Sequence, residues 1–439
     1  MLLGKSIDKL VVELVLTEDF KTKHKLLNKI VKMAAGKKIF LTSIHDLYQA
    51  RGRKEISGFT VPAINLRGLT YHLARAIFRT VKRNNVGPFI FEIAKSEMGY
   101  TNQRPAEYTG VCLAAAIKEG YAGLVFIQGD HFQVNAKKYA ADPKREINGI
   151  KELIEEAVGS GFYNIDIDSS TVVDLSKEDI KEQQRANFEV CAQLTKFIRG
   201  IQPKNITVSV GGEIGEVGGK NSTLEDLRAF MDGYRESLPS AMEGISKISI
   251  QTGTSHGGVV LPDGSIAKVK LDFDTLKNLS ATARDEYGLA GAVQHGASTL
   301  PSEAFHHFPE TETCEVHLAT EFQNMIYESK YLPTELKQEI YNWLKKNAAE
   351  EREEDQTDEQ FIYKTRKKAL GPFKPQLMGL SEEVREAIGH EIEAKFEFLF
   401  KQLKIFNTKD IVKKYIKPQK VSLGLKSAKK TEMDSSGAD

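Results

Sequence analysis

The sequence has few cysteines, and their positions exclude two kinds of site. Among its 439 residues only Cys112, Cys191 and Cys314 are cysteine, and they lie far apart with no C-x-x-C pair. An odd number of separated cysteines does not make a disulfide framework, and this spacing does not assemble a cysteine zinc site. We therefore expect a protein of the reducing cytoplasm.

Long apolar runs and an excess of one charge are also absent. No stretch of 18 apolar residues occurs, and the first residues contain no long apolar segment, so we predict neither a membrane span nor a signal peptide. The formal net charge is only +1, which argues against a nucleic-acid-binding protein. Hydrophobic residues make up 41% of the chain, which is enough for a large core.

What the sequence does contain is a regular succession of short apolar runs. Eight runs, separated mostly by longer amphipathic stretches, occupy residues 61–65, 89–93, 124–128, 163–168, 206–210, 248–251, 290–294 and 314–318. Strands that alternate with helices predict parallel βαβ units, and eight such units predict a closed (β/α)₈ TIM barrel of the α/β class. An open doubly wound sheet is the alternative, and it would scatter the strand ends instead of ringing them.

Extensions are expected on both sides of the barrel. Helical periodicity is clear at residues 23–35, 336–348 and 382–403, and the last residues are rich in Lys and Ser with few large apolar groups. We predict an N-terminal helical extension over 1–56, the barrel over 57–330, a C-terminal helical extension over 331–418 and a disordered tail over 419–439.

Three histidines follow three of the predicted strands, each within a Gly-rich segment. His131 stands in QGDH, His256 in GTSHGG and His295 in QHGAS. Active sites of such barrels lie at the carboxyl ends of the strands. Three imidazoles there suit an open catalytic Zn²⁺ site, because three protein ligands leave the fourth position for water or substrate. A single buried histidine is more often a satisfied core group, but three in one context favour a metal site.

Acidic residues accompany the histidines. Asp130 directly precedes His131, and at a strand end we expect it to point away from a metal bound by that histidine, where it could transfer protons. Asp168 closes the fourth strand and Glu213 follows the fifth, and either could bind a second or displaced cation or orient the histidines. Taken alone, an acid after a strand can equally be the N-cap of the next helix.

Small residues follow the late strands. Gly257, Gly296 and Ser298 lie there and leave backbone N–H groups accessible. Loops after the late strands are where barrels often hold a phosphate, although a glycine pair by itself is usually only a turn.

In these motifs the chain resembles the class II, metal-dependent fructose/tagatose-bisphosphate aldolases. The resemblance runs from residue 59 to residue 328 and begins with the segment VPAIN, which ends at Asn65. The DH pair, the EIGEVGG segment, the HG pair and the HGAS segment follow in the family's order. The resemblance implies that His131, His256 and His295 bind the catalytic zinc.

The resemblance also implies roles for neighbouring residues. Asp130 would protonate the aldehyde oxygen, while Asp168 and Glu213 correspond to acids of an alternative or second metal position, for a divalent or monovalent cation. The residues expected to bind substrate and phosphate are Asn65, Gly257, Gly296, Ser298 and Thr320.

The chain departs from the family after the fifth strand. Beyond its Gly-Gly step the family carries paired acids, one of which is proposed to remove the substrate proton. Here Lys220 and Asn221 occupy that place, and Glu216 is our prediction for the base.

A second departure lies at the eighth strand, which in the family usually ends with N-x-D-T-D. Here it reads HLATE, so that His317 replaces Asn and Ala319 replaces Asp, while Thr320 is retained. His317 either lines the site as an added cation or general base, or only hydrogen-bonds a carbonyl at the strand end. We favour the site role.

The implied function is a zinc-dependent aldol cleavage or condensation of a ketose phosphate, with fructose 1,6-bisphosphate as the default substrate, through a metal-stabilised enediolate. One alternative is a metal-dependent aldolase or epimerase acting on another sugar phosphate. The other is a non-catalytic partner subunit of the tagatose-bisphosphate aldolase type, which would not need three histidines and Asp130. By analogy we expect a homodimer or larger homo-oligomer.

Overall fold

A closed ring of eight parallel strands forms the centre of the protein. The computed structural model describes residues 6–215, 219–253, 261, 271–421 and 423–424. Strands β2 to β9 pair in chain order, and β4–β5 and β2–β9 pairings close the ring, which confirms the predicted (β/α)₈ barrel over the open sheet. The strands are β1 Ile39–Thr42, β2 Val61–Asn65, β3 Ile90–Ala94, β4 Gly123–Gln133, β5 Asn164–Asp168, β6 Ser209–Gly215, β7 Lys247–Ile250, β8 Ala292–Gln294 and β9 Glu315–Leu318.

Helices connect the strands and cover the outside of the barrel. Many begin with a polar side chain that accepts a backbone N–H, as Asp179 does from Glu182 and Thr223 from Asp226. The helices of the described residues are α1 Ile7–Leu16, α2 Phe20–Gly36, α3 His45–Gly52, α4 Thr70–Arg83, α5 Lys95–Tyr100, α6 Pro105–Lys118, α7 Ala136–Ala141, α8 Pro143–Gly159, α9 Ile180–Ile201, α10 Leu224–Glu236, α11 Phe273–Asp285, α12 His307–Glu310, α13 Thr320–Glu328, α14 Thr334–Asn347, α15 Asp358–Thr365, α16 Lys374–Gly379, α17 Glu382–Gln402 and α18 Lys409–Tyr415.

Each predicted apolar run overlaps one barrel strand, and the bounds of two strands differ from the prediction by three residues or more. Strand β4 continues to Gln133 rather than ending at residue 128. Strand β6 starts at Ser209 instead of residue 206, because the Ile206 N–H donates to the Pro203 carbonyl in a turn. Strand β6 also continues to Gly215 rather than ending at residue 210, so both strands are extended at their carboxyl ends, where the site lies.

The N-terminal segment closes the amino-terminal end of the barrel. Besides helices it contains β1, which the prediction of a helical extension did not include and which pairs with the start of β4. The Ile44 N–H donates to Asn164 Oδ1 at 2.9 Å, and the Ser43 hydroxyl accepts the Ser209 N–H at 2.9 Å. These side-chain bonds satisfy backbone and side-chain groups at the starts of β5 and β6 and exclude water from below.

The C-terminal helices pack on the barrel rather than apart from it. Helix α17 lies along α4, and arginines four residues apart on α4 face glutamates of α17. Residues four apart share one helix face, so the two rows of charge match in register. The pairs are Arg75–Glu386, Arg79–Glu393 and Arg83–Glu397.

Apolar and backbone contacts complete this docking. Phe396 of α17 is fully buried, with its ring centroid 4.8 Å from that of Phe322. The Thr60 N–H donates to the Leu403 carbonyl at 3.0 Å, directly before β2 begins. The C-terminal segment therefore belongs to the same core as the barrel, while the exact domain boundaries stay predictions. None of the described helices combines the length and apolar character that crossing a membrane requires.

We expect Phe396→Ala to lower the free energy of unfolding by about 3–5 kcal/mol, because it removes a buried aromatic ring and leaves a cavity. Leu175→Ala serves as the control, since Leu175 is 52% exposed and should change stability by less than about 0.5 kcal/mol. Urea unfolding followed by circular dichroism measures both. Equal small effects would mean that α17 does not share the barrel's core.

Candidate active site

A bulge in β4 brings two consecutive side chains to the carboxyl end of the barrel. The register between β4 and β5 shifts between Gly129 and Phe132, so Asp130 and His131 stand where one residue would normally fit, and His131 has φ +38°. Asp130 Oδ1 lies 3.7 Å from His131 Nε2. The bulge cancels the alternation of side chains, so Asp130 lies beside His131. The direction of Asp130 relative to a metal held by His131 stays a prediction.

His131 and His295 face each other across the barrel mouth. Their ring centroids lie 4.1 Å apart, and His131 Nε2 is 2.7 Å from His295 Nδ1. The second nitrogen of His295, Nε2, lies 2.9 Å from the Ser249 hydroxyl. Gly296 follows with φ +66°, a conformation that suits glycine and turns the chain sharply after β8.

Two carboxylates lie behind His131. Its Nδ1 is 3.4 Å from Asp168 Oδ2 and 3.2 Å from Glu213 Oε2. Burial and the neighbouring Asp168 raise the pKa of Glu213 to about 7. Burial acts to raise the pKa of Asp168, but hydrogen bonds from His131 and Ser170 outweigh it and lower that pKa. This asymmetry leaves Asp168 as the charged partner that orients the imidazole.

His317 of β9 lies beside this pair. Its ring centroid is 4.0 Å from that of His295, and its Nδ1 is 3.1 Å from both Asp130 Oδ1 and Glu92 Oε2. Its Nε2 lies 2.7 Å from Glu315 Oε1. Burial would lower the pKa of His317, but Glu92 and Asp130 outweigh burial and raise it. His317 thus lines the site, as favoured from the sequence, and its contacts are side-chain carboxylates.

A charged layer lies beneath these histidines. Lys247 is 1% exposed, and its Nζ is 2.8 Å from both Asp166 Oδ2 and Gln128 Oε1, with Glu315 as a further ion-pair partner. Burial would lower the pKa of Lys247, but Asp166 and Glu315 raise it. Burial acts to raise the pKa of Glu315, but Lys247 and His317 outweigh burial and lower that pKa to about 2. The lysine is therefore a fixed interior cation.

The sequence analysis missed Lys247 and Glu315, although a signal was present. Lys247 directly precedes the apolar run 248–251, and Glu315 lies inside the run 314–318. Side chains two residues apart on a strand face the same side. Lys247 precedes Ser249 by two positions, and Glu315 precedes His317 by two. That alternation places both side chains in the barrel interior below the site.

The residues expected to bind phosphate lie at the same end of the barrel. The Ser298 hydroxyl accepts the Ala319 N–H at 2.6 Å, and Thr320 begins α13 with its hydroxyl 3.5 Å from Arg67 Nη1. Asn65 is buried at the end of β2 and donates to Glu97. Glu216, His256 and Gly257 lie outside the described residues.

The donor set suits a metal ion. In the described part of the chain, His131, Glu213 and His295 offer ligand atoms within 4.8 Å of one another, and so do Asp130, His295 and His317. Imidazole and carboxylate are the ligands of catalytic zinc sites. Each imidazole also has an oxygen partner at its second nitrogen, as metal-binding histidines usually do.

An eight-stranded barrel with histidines and acids at its carboxyl ends is the architecture of a metal-dependent barrel enzyme. The model of the family "Fructose-bisphosphate aldolase class-II" matches residues 49–398. The chain belongs to this family and is a class II aldolase, a carbon–carbon lyase of a metal-dependent family. The match includes most of α17, so the C-terminal helices fall within the family's region.

Comparison with solved structures finds similar chains, one of them with a TM-score above 0.5. A protein from Sinorhizobium meliloti 1021 described as a probable tagatose 6 phosphate kinase is 13% identical with a TM-score of 0.55, covering 81% of this chain and 99% of its own. A putative fructose-1,6-biphosphate aldolase from Coccidioides immitis is 16% identical with a TM-score of 0.47, covering 83% and 97%. The YdjI aldolase from Escherichia coli K12 is 14% identical with a TM-score of 0.48, covering 83% and 99%. Curated proteins give no sequence match.

We expect Gly211→Ala to destabilise the protein by about 3 kcal/mol, because overpacking and disruption of a buried ion pair both contribute. A Cβ at Gly211 would lie 2.3 Å from Asp166 Oδ1 and 2.9 Å from Lys247 Cε. Gly200→Ala is the matched control. Gly200 lies in the last turn of α9, and a Cβ there would meet no atom within 4 Å, so the substitution should stabilise the protein by about 0.5–1 kcal/mol. Thermal unfolding measures the stability of both variants. Equal changes in stability would contradict the structural role of the buried Asp166–Lys247 ion pair.

Proposed function

We propose that this chain is a zinc-dependent aldolase that cleaves and forms a carbon–carbon bond in a ketose phosphate, with fructose 1,6-bisphosphate as the first substrate to test. The observation that carries the proposal is the pairing of His131 Nε2 and His295 Nδ1 at 2.7 Å. Oxygen atoms of Glu213 and Ser249 lie against the opposite nitrogen of each ring, so His131 Nε2 and His295 Nδ1 are turned toward each other. Small side-chain rotations would bring these two nitrogens to the separation of about 3.4 Å that ligands of one zinc ion have.

The zinc ligands in this proposal are His131, His295 and His256, the last by resemblance since it lies outside the described residues. Bound zinc supplies the Lewis acidity that polarises the ketose carbonyl. Asp168 and Glu213 lie against Nδ1 of His131, which supports an orienting role for both rather than direct binding of a second cation.

Asp130 is proposed to exchange the proton at the aldehyde oxygen. Its Oδ1 lies 3.1 Å from His317 Nδ1, so His317 holds the carboxylate in place by donating a hydrogen bond. Glu216 stays our prediction for the base that removes the substrate proton.

The phosphate is proposed to bind where β8 and β9 end. Gly296 and Ser298 follow β8, and Thr320 begins α13, so backbone N–H groups and two hydroxyls converge there. Gly257 and Asn65 complete the set by resemblance. Cytoplasmic location and a homo-oligomeric state remain predictions from composition and analogy.

A different sugar phosphate is the alternative substrate, and an epimerase reaction on such a substrate is the alternative chemistry. His317 and Ala319 favour this alternative, because they change the size and charge of the β9 end that faces the site. A non-catalytic partner subunit is disfavoured, because a structural role does not require buried Asp130, His295 and His317 to converge.

We expect the purified protein to contain about one zinc per chain and to cleave fructose 1,6-bisphosphate, and His295→Ala to lose both, because it removes a central ligand. His390→Ala is the control, since its side chain is 65% exposed and it belongs to none of the residue groups of the described chain that could hold a metal ion. Metal analysis and a coupled turnover assay measure these. Zinc without cleavage of fructose 1,6-bisphosphate would mean that the substrate is another ketose phosphate. Absence of metal from the wild type would refute the proposal.

We expect borohydride added during turnover to leave the enzyme active. Imine chemistry needs a neutral lysine, but Lys247 is ion-paired with Asp166 and Glu315, and its pKa is raised. Residual activity and intact mass after treatment give the readout, with a known imine-forming aldolase as the positive control. Inactivation with a substrate-sized mass increase on Lys247 would contradict the metal-based proposal.

A further inference from the structure

Each of the three imidazoles around Asp130 has an oxygen atom against the ring nitrogen that faces away from Asp130. Glu213 lies against Nδ1 of His131, Ser249 against Nε2 of His295, and Glu315 against Nε2 of His317. The opposite nitrogens lie 3.7, 4.0 and 3.1 Å from Asp130 Oδ1 for the three histidines in that order. All three rings therefore turn one nitrogen toward the same carboxylate.

The group behind His317 is particularly well anchored. Glu315 Oε1 accepts from Gln128 Nε2 at 2.8 Å and pairs with Lys247, while Glu315 Oε2 accepts from the Tyr48 hydroxyl. A carboxylate that holds one nitrogen of a histidine is the usual support of a metal-binding imidazole. His317 thus has the support that a metal ligand has, with its Nδ1 directed into the site.

We propose that Asp130, His295 and His317 form an inner metal position, distinct from the position made by His131, His256 and His295. The inference rests on the proposed function and adds a second place for its metal. One ligand atom of each of the three residues lies within 4.8 Å of the others, and the residues come from β4, β9 and the end of β8. Small side-chain rotations bring such atoms to the edge of about 3.4 Å that zinc ligands at 2.0–2.1 Å require.

The charge around this position favours a cation. Glu92, Asp166 and Glu315 are buried near His317. Lys247 of β7 is the cationic partner of Asp166 and Glu315. Glu92 Oε1 and Asp166 Oδ1 are buried without a hydrogen-bond partner among the described residues. Buried carboxylate oxygens without partners are rare unless a water or an ion satisfies them. A divalent ion bound by Asp130, His295 and His317 would add positive charge close to these buried carboxylates.

The two positions exclude simultaneous occupancy because both use His295. The ring centroids of His131 and His317 are 6.5 Å apart, so one ion cannot be bound by both histidines in this arrangement. The inner position therefore holds the same single ion at a second location, and it does so without His256. That independence from His256 makes the inference testable apart from the reaction.

The test compares cobalt binding by the wild type, His256→Ala, His317→Asn and the double variant, using the visible d–d spectrum and competition with a chelator. We expect one Co²⁺ per chain in the wild type and in each single variant, with a changed spectrum in His256→Ala. The double variant should bind at least 100-fold more weakly than His256→Ala. Glu315→Gln in the His256→Ala background should weaken binding about 10–100-fold, because it removes the support of His317.

His390→Asn is the control, because its side chain is 65% exposed and it belongs to none of the residue groups of the described chain that could hold a metal ion. Circular dichroism of the metal-free proteins shows that each variant is folded. Loss of cobalt in His256→Ala alone, or equal affinities of His256→Ala and the double variant, would overturn the inner position and leave the proposed function intact. A wild type that binds no metal would refute both.

Discussion

The buried ion pair network of Lys247 determines how the rest of the site is arranged. Lys247 sits inside the barrel between Asp166 and Glu315, where an unpaired charge would cost several kcal/mol. Glu315 in turn contacts His317, and His317 contacts Asp130. The side chains at the barrel mouth are therefore held through a charged layer below them, and an altered charge in that layer changes the geometry above it.

The sequence predicts the barrel well because each strand is a local apolar run between helical segments, and the histidines stand directly after such runs. The bulge at Asp130 and His131 could not be predicted, since it arises from the pairing of β4 with β5 and not from β4 itself. Lys247 was missed because a charged residue directly before an apolar run is usually exposed, whereas here it is the first residue of β7 and faces the barrel interior. Strand β1 was not predicted, although it has four residues as β7 and β9 do, because it lies in the segment assigned to the helical extension.

The replacement of the family's Asn by His317 is better understood together with its surroundings than alone. A histidine at this position needs partners for both ring nitrogens in a place without water. Glu92 and Asp130 face one nitrogen and Glu315 faces the other, so the neighbouring strands supply what the imidazole requires. The end of β9 therefore has a coherent polar environment, which a chance substitution in an unchanged barrel would lack.

The docking of α17 on α4 has a consequence for how the chain folds during synthesis. Arg79 and Glu393 are separated by 314 residues in the chain. At about 5–20 residues per second, the ribosome completes α17 roughly 15–60 s after α4. During that interval the partner surface of the first barrel helix is exposed, and the Thr60 N–H directly before β2 lacks its acceptor, the Leu403 carbonyl. The barrel therefore reaches its final packing only when nearly the whole chain has been made, which makes its nascent form a substrate for chaperones.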